Sequence, residues 1–121
     1  MIAHAEAVAA LITTAGGHGL LADDLKRTAP PAVYTEVYVM TRPDRNQRVG
    51  SLGLDVHRIL TRTVGTSQRK AESERAAADL AGKTFTVGGV TYGPLRRETV
   101  DDAISDDGDG RWVGVTTWTY A

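Results

Sequence analysis

Cysteine is absent from this 121-residue chain, which excludes disulfide bonds and thiolate metal sites. Aromatic residues make up only 6% of the sequence, and no apolar run approaches the length that spans a bilayer. Residues 1–6 lack the basic region of a signal peptide and carry a carboxylate where its apolar stretch would begin. We therefore expect a soluble protein with no membrane partner.

Neither sign of charge predominates, because 14 basic residues nearly balance 15 acidic ones and give a formal net charge of -1. The chain has no overall field that would hold it on nucleic acid or on an anionic membrane. It does have enough length, and with 41% hydrophobic residues enough apolar content, for one compact core. Residues 1–121 are predicted to form a single domain.

The first third of the chain predicts a helix followed by a strand. Apolar residues recur at helical spacing at Ala5, Val8, Ala9 and Ile12. Gly16-Gly17 end this helix, and the residues that follow, including Leu20 and Leu21, are predicted to form a polar connection. Pro30-Pro31 cannot continue a helix, and the β-rich run at residues 33–41 is apolar on both faces, as a central strand is.

The middle of the chain predicts an exposed loop, a long strand and a second helix. Residues 42–48 hold turn-forming residues and almost no apolar ones. The stretch from residue 52 to 64 is rich in Val, Ile, Leu and Thr, which predicts a strand with one irregularity. Ser67 suits the N-cap of an alanine-rich helix that ends at Gly82. Because alanine buries little area, that helix should depend on close approach to a sheet.

The last third predicts only turns and strands. Residues 83–87, 90–92 and 95–100 are separated by glycine turns, which favours a β-meander. Residues 111–120 form a closing strand that places Trp112, Trp118 and Tyr120 on one face, and both tryptophans should anchor the sheet. The order of elements predicts an α+β fold: a mostly antiparallel β-sheet of four to five strands with two helices packed against it.

Local motifs in this order carry a family resemblance. Ala29-Pro30-Pro31 stands before the first strand, and Thr63-Val64-Gly65-Thr66-Ser67 leads into the second helix. Gly93-Pro94 then precedes a final stretch rich in Trp, Tyr and Thr. From residue 30 to the end, the chain resembles the tail terminator, or tail completion, proteins of long-tailed, siphovirus-type bacteriophages.

The resemblance implies a structural virion protein rather than an enzyme. Proteins of this family form a ring, usually a hexamer, that caps the growing tail tube and later meets the head-tail connector. The implied location is the head-proximal end of the tail in the virion, and the host cytoplasm during assembly. DNA would pass through the lumen of the ring without sequence-specific binding. The family carries no catalytic residues, and the resemblance implies no cofactor.

The residues themselves offer no convincing catalytic or metal site. His4, His18 and His57 lie in three different elements without ligand spacing, so each is expected to be an ordinary polar residue. The acidic stretch at residues 101–110 superficially suggests calcium. In the EF-hand register, however, the first ligand would be Ser105 and the twelfth Thr116 instead of a bidentate glutamate. A solvated hairpin loop is the expected structure there.

Two oppositely charged segments are the predicted interface. Residues 42–75 are rich in basic side chains, but no aromatic residue is interleaved with them, so single-stranded nucleic acid has no stacking platform. A ring joins two different surfaces of each subunit, so opposite charges can steer that contact. We predict that a basic group meets an acidic group on a neighbouring subunit or on the tube: Arg42, Arg45 and Arg48 with Asp106, Asp107 and Asp109. Alternatively, the acidic loop lines the lumen and repels DNA.

Two other functions remain open from the sequence. A related phage neck or head-completion protein would share the assembly behaviour but bind a different partner. A small dimeric ligand-binding α+β domain belongs to another class, and it should have a closed apolar pocket and respond to a small molecule.

Overall fold

The computed structural model describes residues 2–22, 31–40, 57–100, 105–106, 108 and 110–120. Within these residues the fold is α+β, as predicted, with two helices, one main sheet and one small sheet. The elements in chain order are α1 (Ile2–Thr14), β1 (Gly19–Leu21), β2 (Tyr34–Met40), β3 (His57–Gly65), α2 (Gln68–Ala77), β4 (Phe85–Val87), β5 (Val90–Tyr92), β6 (Arg96–Val100), β7 (Ser105–Asp106) and β8 (Trp112–Tyr120).

The main sheet has the strand order β1-β2-β3-β8-β6, and β7 also pairs with β8. Its pairs are antiparallel except for β1 and β2, so the sheet is mixed although mostly antiparallel. β2 has a partner on each side, which agrees with the central strand predicted from its apolar faces. The prediction of a connection at Leu20 and Leu21 was wrong, because these residues pair with Glu36 and Val37 as the edge strand β1.

The predicted β-meander was also wrong. Strands β4 and β5 form a separate two-stranded sheet, and β6 pairs with β8 instead of β5. Gly88 and Gly89, with φ of 58° and 80°, make the turn of this hairpin in the left-handed region that glycine tolerates. The hairpin leaves the main sheet because Phe85 packs against His4 of α1, with ring centroids 5.4 Å apart.

Both predicted helices are present, and α2 ends earlier than predicted. Ser67 is the N-cap of α2, and its side chain accepts a hydrogen bond from the backbone N–H of Lys70 at 3.2 Å. The helix ends at Ala77 rather than continuing to Gly82. The chain turns there because Leu80, which is fully buried, enters the core instead of extending the helix.

The two helices pack on the same side of the main sheet, which we call the helix face. Its side chains come from alternate residues, such as Val37 of β2, Ile59 of β3 and Trp118 of β8. These residues pack against Val8 and Ile12 of α1 to form the core. Trp118 is 2% exposed and anchors the sheet as predicted, whereas Trp112 is half-buried and lies outside the core cluster.

Close contact between helix and sheet depends on two glycines. A Cβ on Gly65 of β3 would lie 2.7 Å from the backbone nitrogen of Ala71 in α2. A Cβ on Gly19 of β1 would collide with the carbonyl oxygen of Ala9 in α1. Any larger residue would push a helix away from the sheet. The alanine-rich α2 therefore packs by close approach, as its composition predicts.

The opposite side of the sheet, which we call the bare face, carries the other set of alternate side chains. Among the described elements, α1, α2 and the β4–β5 hairpin all join the core on the helix face. Tyr34, Glu36 and Val64 of the bare face are at most 4% exposed, so this face is covered in part and only its other side chains are open. The residues of the bare face are Tyr34, Glu36 and Tyr38 of β2, Arg58, Leu60, Arg62 and Val64 of β3, and Val113 and Val115 of β8.

Candidate functional site

The residues predicted to form the ring contact fall mostly outside the described part of the chain. Arg42, Arg45, Arg48, Asp107 and Asp109 are among the residues that the structure does not describe. Asp106 is described only through its backbone, which pairs with Trp112 at the end of β8. The pairing of the basic loop with the acidic loop therefore stays a prediction. Residues 57–65 of the second strand pair without a register shift, and the irregularity predicted in this strand stays a prediction for residues 52–56, which lie outside the described ranges.

Two histidines that are far apart in sequence meet at one end of the helix face. The rings of His4 in α1 and His57 in β3 have centroids 5.4 Å apart. His4 is 6% exposed, its Nδ1 lies 2.8 Å from the Tyr120 hydroxyl, and its ring lies 4.3 Å from that of Tyr92. Burial and then the charge of His57 lower the pKa of His4. His4 is thus a core residue rather than the ordinary polar residue we expected.

A buried carboxylate joins α2 to the first part of the chain. Glu74 is 4% exposed and accepts hydrogen bonds from the backbone N–H of His18 at 2.8 Å and from the Thr35 hydroxyl at 3.1 Å. The Nδ1 of His18 lies 2.9 Å from the second carboxylate oxygen. Because both of its oxygens have hydrogen-bonding partners, this carboxylate links α2 to β2 and to His18 in the connection that follows α1.

The bare face has its own buried carboxylate, held in a different way. Glu36 is 4% exposed and accepts a hydrogen bond from Arg62 at 3.0 Å, and it also accepts one from the Tyr38 hydroxyl. Burial raises the pKa of the Glu36 carboxyl, although the Arg62 guanidinium acts to lower it. A second ion pair joins Arg58 to Glu98 at 3.1 Å across β8. Two ion pairs therefore join strands of this face, one between the adjacent β2 and β3 and one across β8.

Apolar side chains lie between these charges. Tyr34 and Val64 are buried, while Leu60, Val113 and Val115 are half-buried. Tyr38 is 37% exposed, one of the few large hydrophobic side chains with that much exposure among the described residues. A sheet face that combines apolar residues with paired charges has the composition of a protein contact surface. Periodicity predicted the apolar residues of β2, but only the strand pairing reveals that they share a face with Leu60 and Val113.

The helix face contains a cleft of about 320 Å³ between α2 and β6. Its floor is polar, since it is formed by Thr61, Thr63, Thr116 and Trp118. Arg75 stands on the α2 wall and Arg97 on the β6 wall. No pattern in the sequence indicated this cleft, because its residues come from four elements, β3, α2, β6 and β8, which only the fold brings together.

Among the described residues, no three histidine or carboxylate side chains are grouped so that they could hold a metal ion. No helix in the described ranges is both long and apolar enough to cross a membrane. Comparison with protein families, with curated proteins and with solved structures gave no match to this chain.

Proposed function

We propose that this chain is a tail terminator protein, which forms a ring on the end of a phage tail tube, ends tube polymerisation and provides the surface that joins the head connector. The observation that carries the proposal is the bare face. Both helices lie on one side of the sheet, and the other side combines apolar residues with paired charges. In this proposal the bare face contacts a neighbouring subunit in a homo-oligomeric ring, usually a hexamer in the family.

The chemistry of the bare face supports this role. Leu60 and Val113 are half-buried within the subunit, so a neighbour that covers them would remove further apolar area from water. Glu36 and Arg62 already neutralise each other, so covering them does not leave an unpaired charge. A ring contact joins two different surfaces, so the partner of the bare face is another part of the next subunit.

The order of elements supports the same family. Strand β2 begins at Tyr34, shortly after Pro31, and α2 follows the Gly65-Thr66-Ser67 turn that ends β3. The long strand β8, with Trp118 in the core, ends the described chain. These features match the motifs on which the resemblance rests, and they leave ring size and the orientation on the tube to experiment.

Tube assembly tests the proposal directly. The purified chain is added to polymerising tail tube protein encoded by the same phage, and the products are examined by electron microscopy. We expect rings at one end of tubes whose growth has stopped at a defined point. An unchanged distribution of tube lengths, without added density at either end, would contradict the proposal.

A matched pair of variants tests the bare face. Leu60→Glu places a charge among the apolar residues of this face and should abolish ring formation. Val90→Glu makes the same kind of change on the β4–β5 hairpin, where Val90 is 51% exposed, and should assemble normally. Thermal unfolding of both variants separates loss of assembly from loss of folding. If Leu60→Glu folds and still forms rings, the bare face is not the subunit contact.

The alternatives predict different partners. A neck or head-completion protein would bind the head connector and leave tube length unchanged. A ligand-binding domain would need an enclosed apolar pocket, whereas the cleft between α2 and β6 has a floor of threonine side chains and charged walls. This difference favours assembly over small-molecule binding as the main function.

A further inference from the structure

We infer that the cleft between α2 and β6 is a binding site for a single carboxylate group. The inference goes beyond the proposed ring, because the cleft lies on the helix face and the proposed subunit contact lies on the bare face. Its volume of about 320 Å³ is near the lower limit of pockets that hold small ligands. The cleft would therefore take a small group rather than a large cofactor.

The floor of the cleft contains a hydroxyl that has no hydrogen-bond partner among the described residues. Thr61 accepts a hydrogen bond from Trp118 Nε1 at 3.0 Å and donates to the Thr116 carbonyl at 3.4 Å. Thr63 is paired with the Thr35 hydroxyl at 3.4 Å. Thr116 is 5% exposed, and its hydroxyl makes no hydrogen bond to any residue in the described ranges. A buried hydroxyl in this position is costly unless a ligand or solvent satisfies it.

The position of Arg97 supplies the second observation. Arg97 pairs with Trp118 across the β6–β8 ladder, so its side chain lies on the helix face, beside the cleft floor. The register shifts directly after it, which makes Glu98 the extra residue of a bulge and places its carboxylate beside Arg58 on the bare face. Arg97 takes part in none of the ion pairs among the described residues. The bulge thus separates Arg97 from the nearest carboxylate in sequence.

The charges around the cleft favour one carboxylate over a phosphate. Arg97 lines the β6 wall, and a guanidinium group binds a carboxylate by paired hydrogen bonds. Arg75 lines the α2 wall and has an interaction of its own, so Arg97 is the main candidate. Glu72 and Asp79 also line the α2 wall, so the four ionisable groups have no net charge. A dianion would be repelled by these two carboxylates. A singly charged carboxylate carried by a group with N–H donors suits the cleft better.

Trp118 provides a direct probe of binding. Its indole N–H bonds to the cleft floor, whereas the half-buried Trp112 does not line the cleft, so the two indole signals in a ¹⁵N-correlated NMR spectrum serve as reporter and internal control. The chain is titrated with N-acetylglutamate amide, with the uncharged N-acetylglutamine amide, and with inorganic phosphate. We expect a saturable shift of the Trp118 signal with the glutamate compound only. An equal shift with the glutamine compound would overturn the inference. So would the absence of a shift with the glutamate compound at about 50 mM, which is the range for weak single-group contacts.

Matched variants identify the groups responsible. Arg97→Gln should weaken binding by about tenfold or more, whereas Arg96→Gln, the neighbouring change on the opposite side of β6, should leave it within about twofold. Thr116→Val removes the floor hydroxyl and keeps the shape, and it should also weaken binding. Equal losses in the two arginine variants would indicate a general charge effect and would overturn the assignment.

A further titration distinguishes between two sources of the carboxylate. Free butyrate, a small monocarboxylic acid, is compared with a blocked Gly-Glu-Gly peptide in the same titration. Tighter binding of the peptide identifies an acidic side chain of a protein partner, and tighter binding of butyrate identifies a free small acid. Both results support a carboxylate site, and binding of neither contradicts it. Ring formation is scored separately, so failure of the cleft assay does not affect the proposed function.

Discussion

The two faces of the main sheet each bury a glutamate, and they do so for different reasons. Glu74 on the helix face is held by uncharged and backbone donors from distant parts of the chain. Glu36 on the bare face is held by Arg62 from the adjacent strand, and it lies beside half-buried apolar residues. The helix face thus uses its buried polar group to join elements. The bare face pairs its buried carboxylate with a cation on the adjacent strand.

Removal of Trp118 should have the largest effect on stability. Trp118→Ala truncates a fully packed aromatic of the helix face and should lower the free energy of unfolding by about 3 to 5 kcal/mol. Trp112→Ala serves as the control, and its effect should be clearly smaller because Trp112 is half-buried and outside the core. Denaturant unfolding of both variants measures the difference. If Trp112→Ala folds normally but fails to assemble, Trp112 is an interface anchor.

The two buried glutamates should differ when each is replaced by alanine. Glu74→Ala leaves the His18 N–H and the Thr35 hydroxyl without their acceptor and should cost about 2 to 3 kcal/mol. Glu36→Ala should cost less than about 1 kcal/mol, because the Arg62 side chain is 29% exposed and can be hydrated. The exposed Glu72→Ala on α2 is the control for both. Equal losses from the two glutamates would mean that the bare face is as structural as the helix face.

A fall in pH should change the stability contributions of His4 on the helix face and Glu36 on the bare face in opposite directions. The pKa of His4 is lowered in the folded state, so the unfolded chain takes up this proton first as the pH falls below 6.5, and stability decreases until the pH reaches the lowered pKa. The pKa of Glu36 is raised in the folded state, so the folded chain takes up that proton first, and stability increases as the pH falls from the raised pKa to 4.5.

Two variants separate these contributions. His4→Gln should remove the loss of stability below pH 6.5, and Glu36→Gln should remove the gain toward pH 4.5. The measurement is the free energy of unfolding from pH 4 to pH 8, over the range of these two groups. A variant whose pH dependence matches that of the parent would show that its residue does not titrate as described.

Charge reversal in the two loops should have the smallest effect. Arg45→Glu and Asp107→Arg should each slow ring assembly, and the double variant should restore it if the loops meet. Exposed pairs contribute only about 0 to 1 kcal/mol, so the effect should appear in assembly rate and salt dependence. If Asp107→Arg leaves assembly unchanged at every salt concentration, the acidic loop lies in the lumen or elsewhere.

Local signals in the sequence predicted most of the fold. Helical spacing of the apolar residues predicted α1, Ser67 predicted the start of α2, and alternation predicted that Trp118 and Tyr120 share a face. Strand β1 was missed because three residues are too few to show alternation. The β4–β5 hairpin was placed in the main sheet because its departure depends on the contact of Phe85 with His4, which no local pattern contains.

The candidate sites were harder to predict than the fold. Charged residues are usually exposed, so nothing at Glu74 or Glu36 indicated a buried carboxylate. Their partners lie 56 and 26 positions away in the sequence at His18 and Arg62. The cleft likewise depends on the register of β6 against β8, which brings Arg97 to the same side as Trp118. Strand register and long-range pairing are properties of the folded chain, and a single sequence did not supply them.

The hydrogen bond between His4 and Tyr120, which are 116 positions apart, also bears on the order in which the chain folds. Helix α1 is synthesised before β8, whose Trp118 and Tyr120 belong to the same core cluster. During synthesis the apolar residues of α1 are made before their partners in β8, so the core can form only after β8 has been synthesised. Because the core of α1 is completed by residues of β8, a truncation within β8 should prevent folding of the domain.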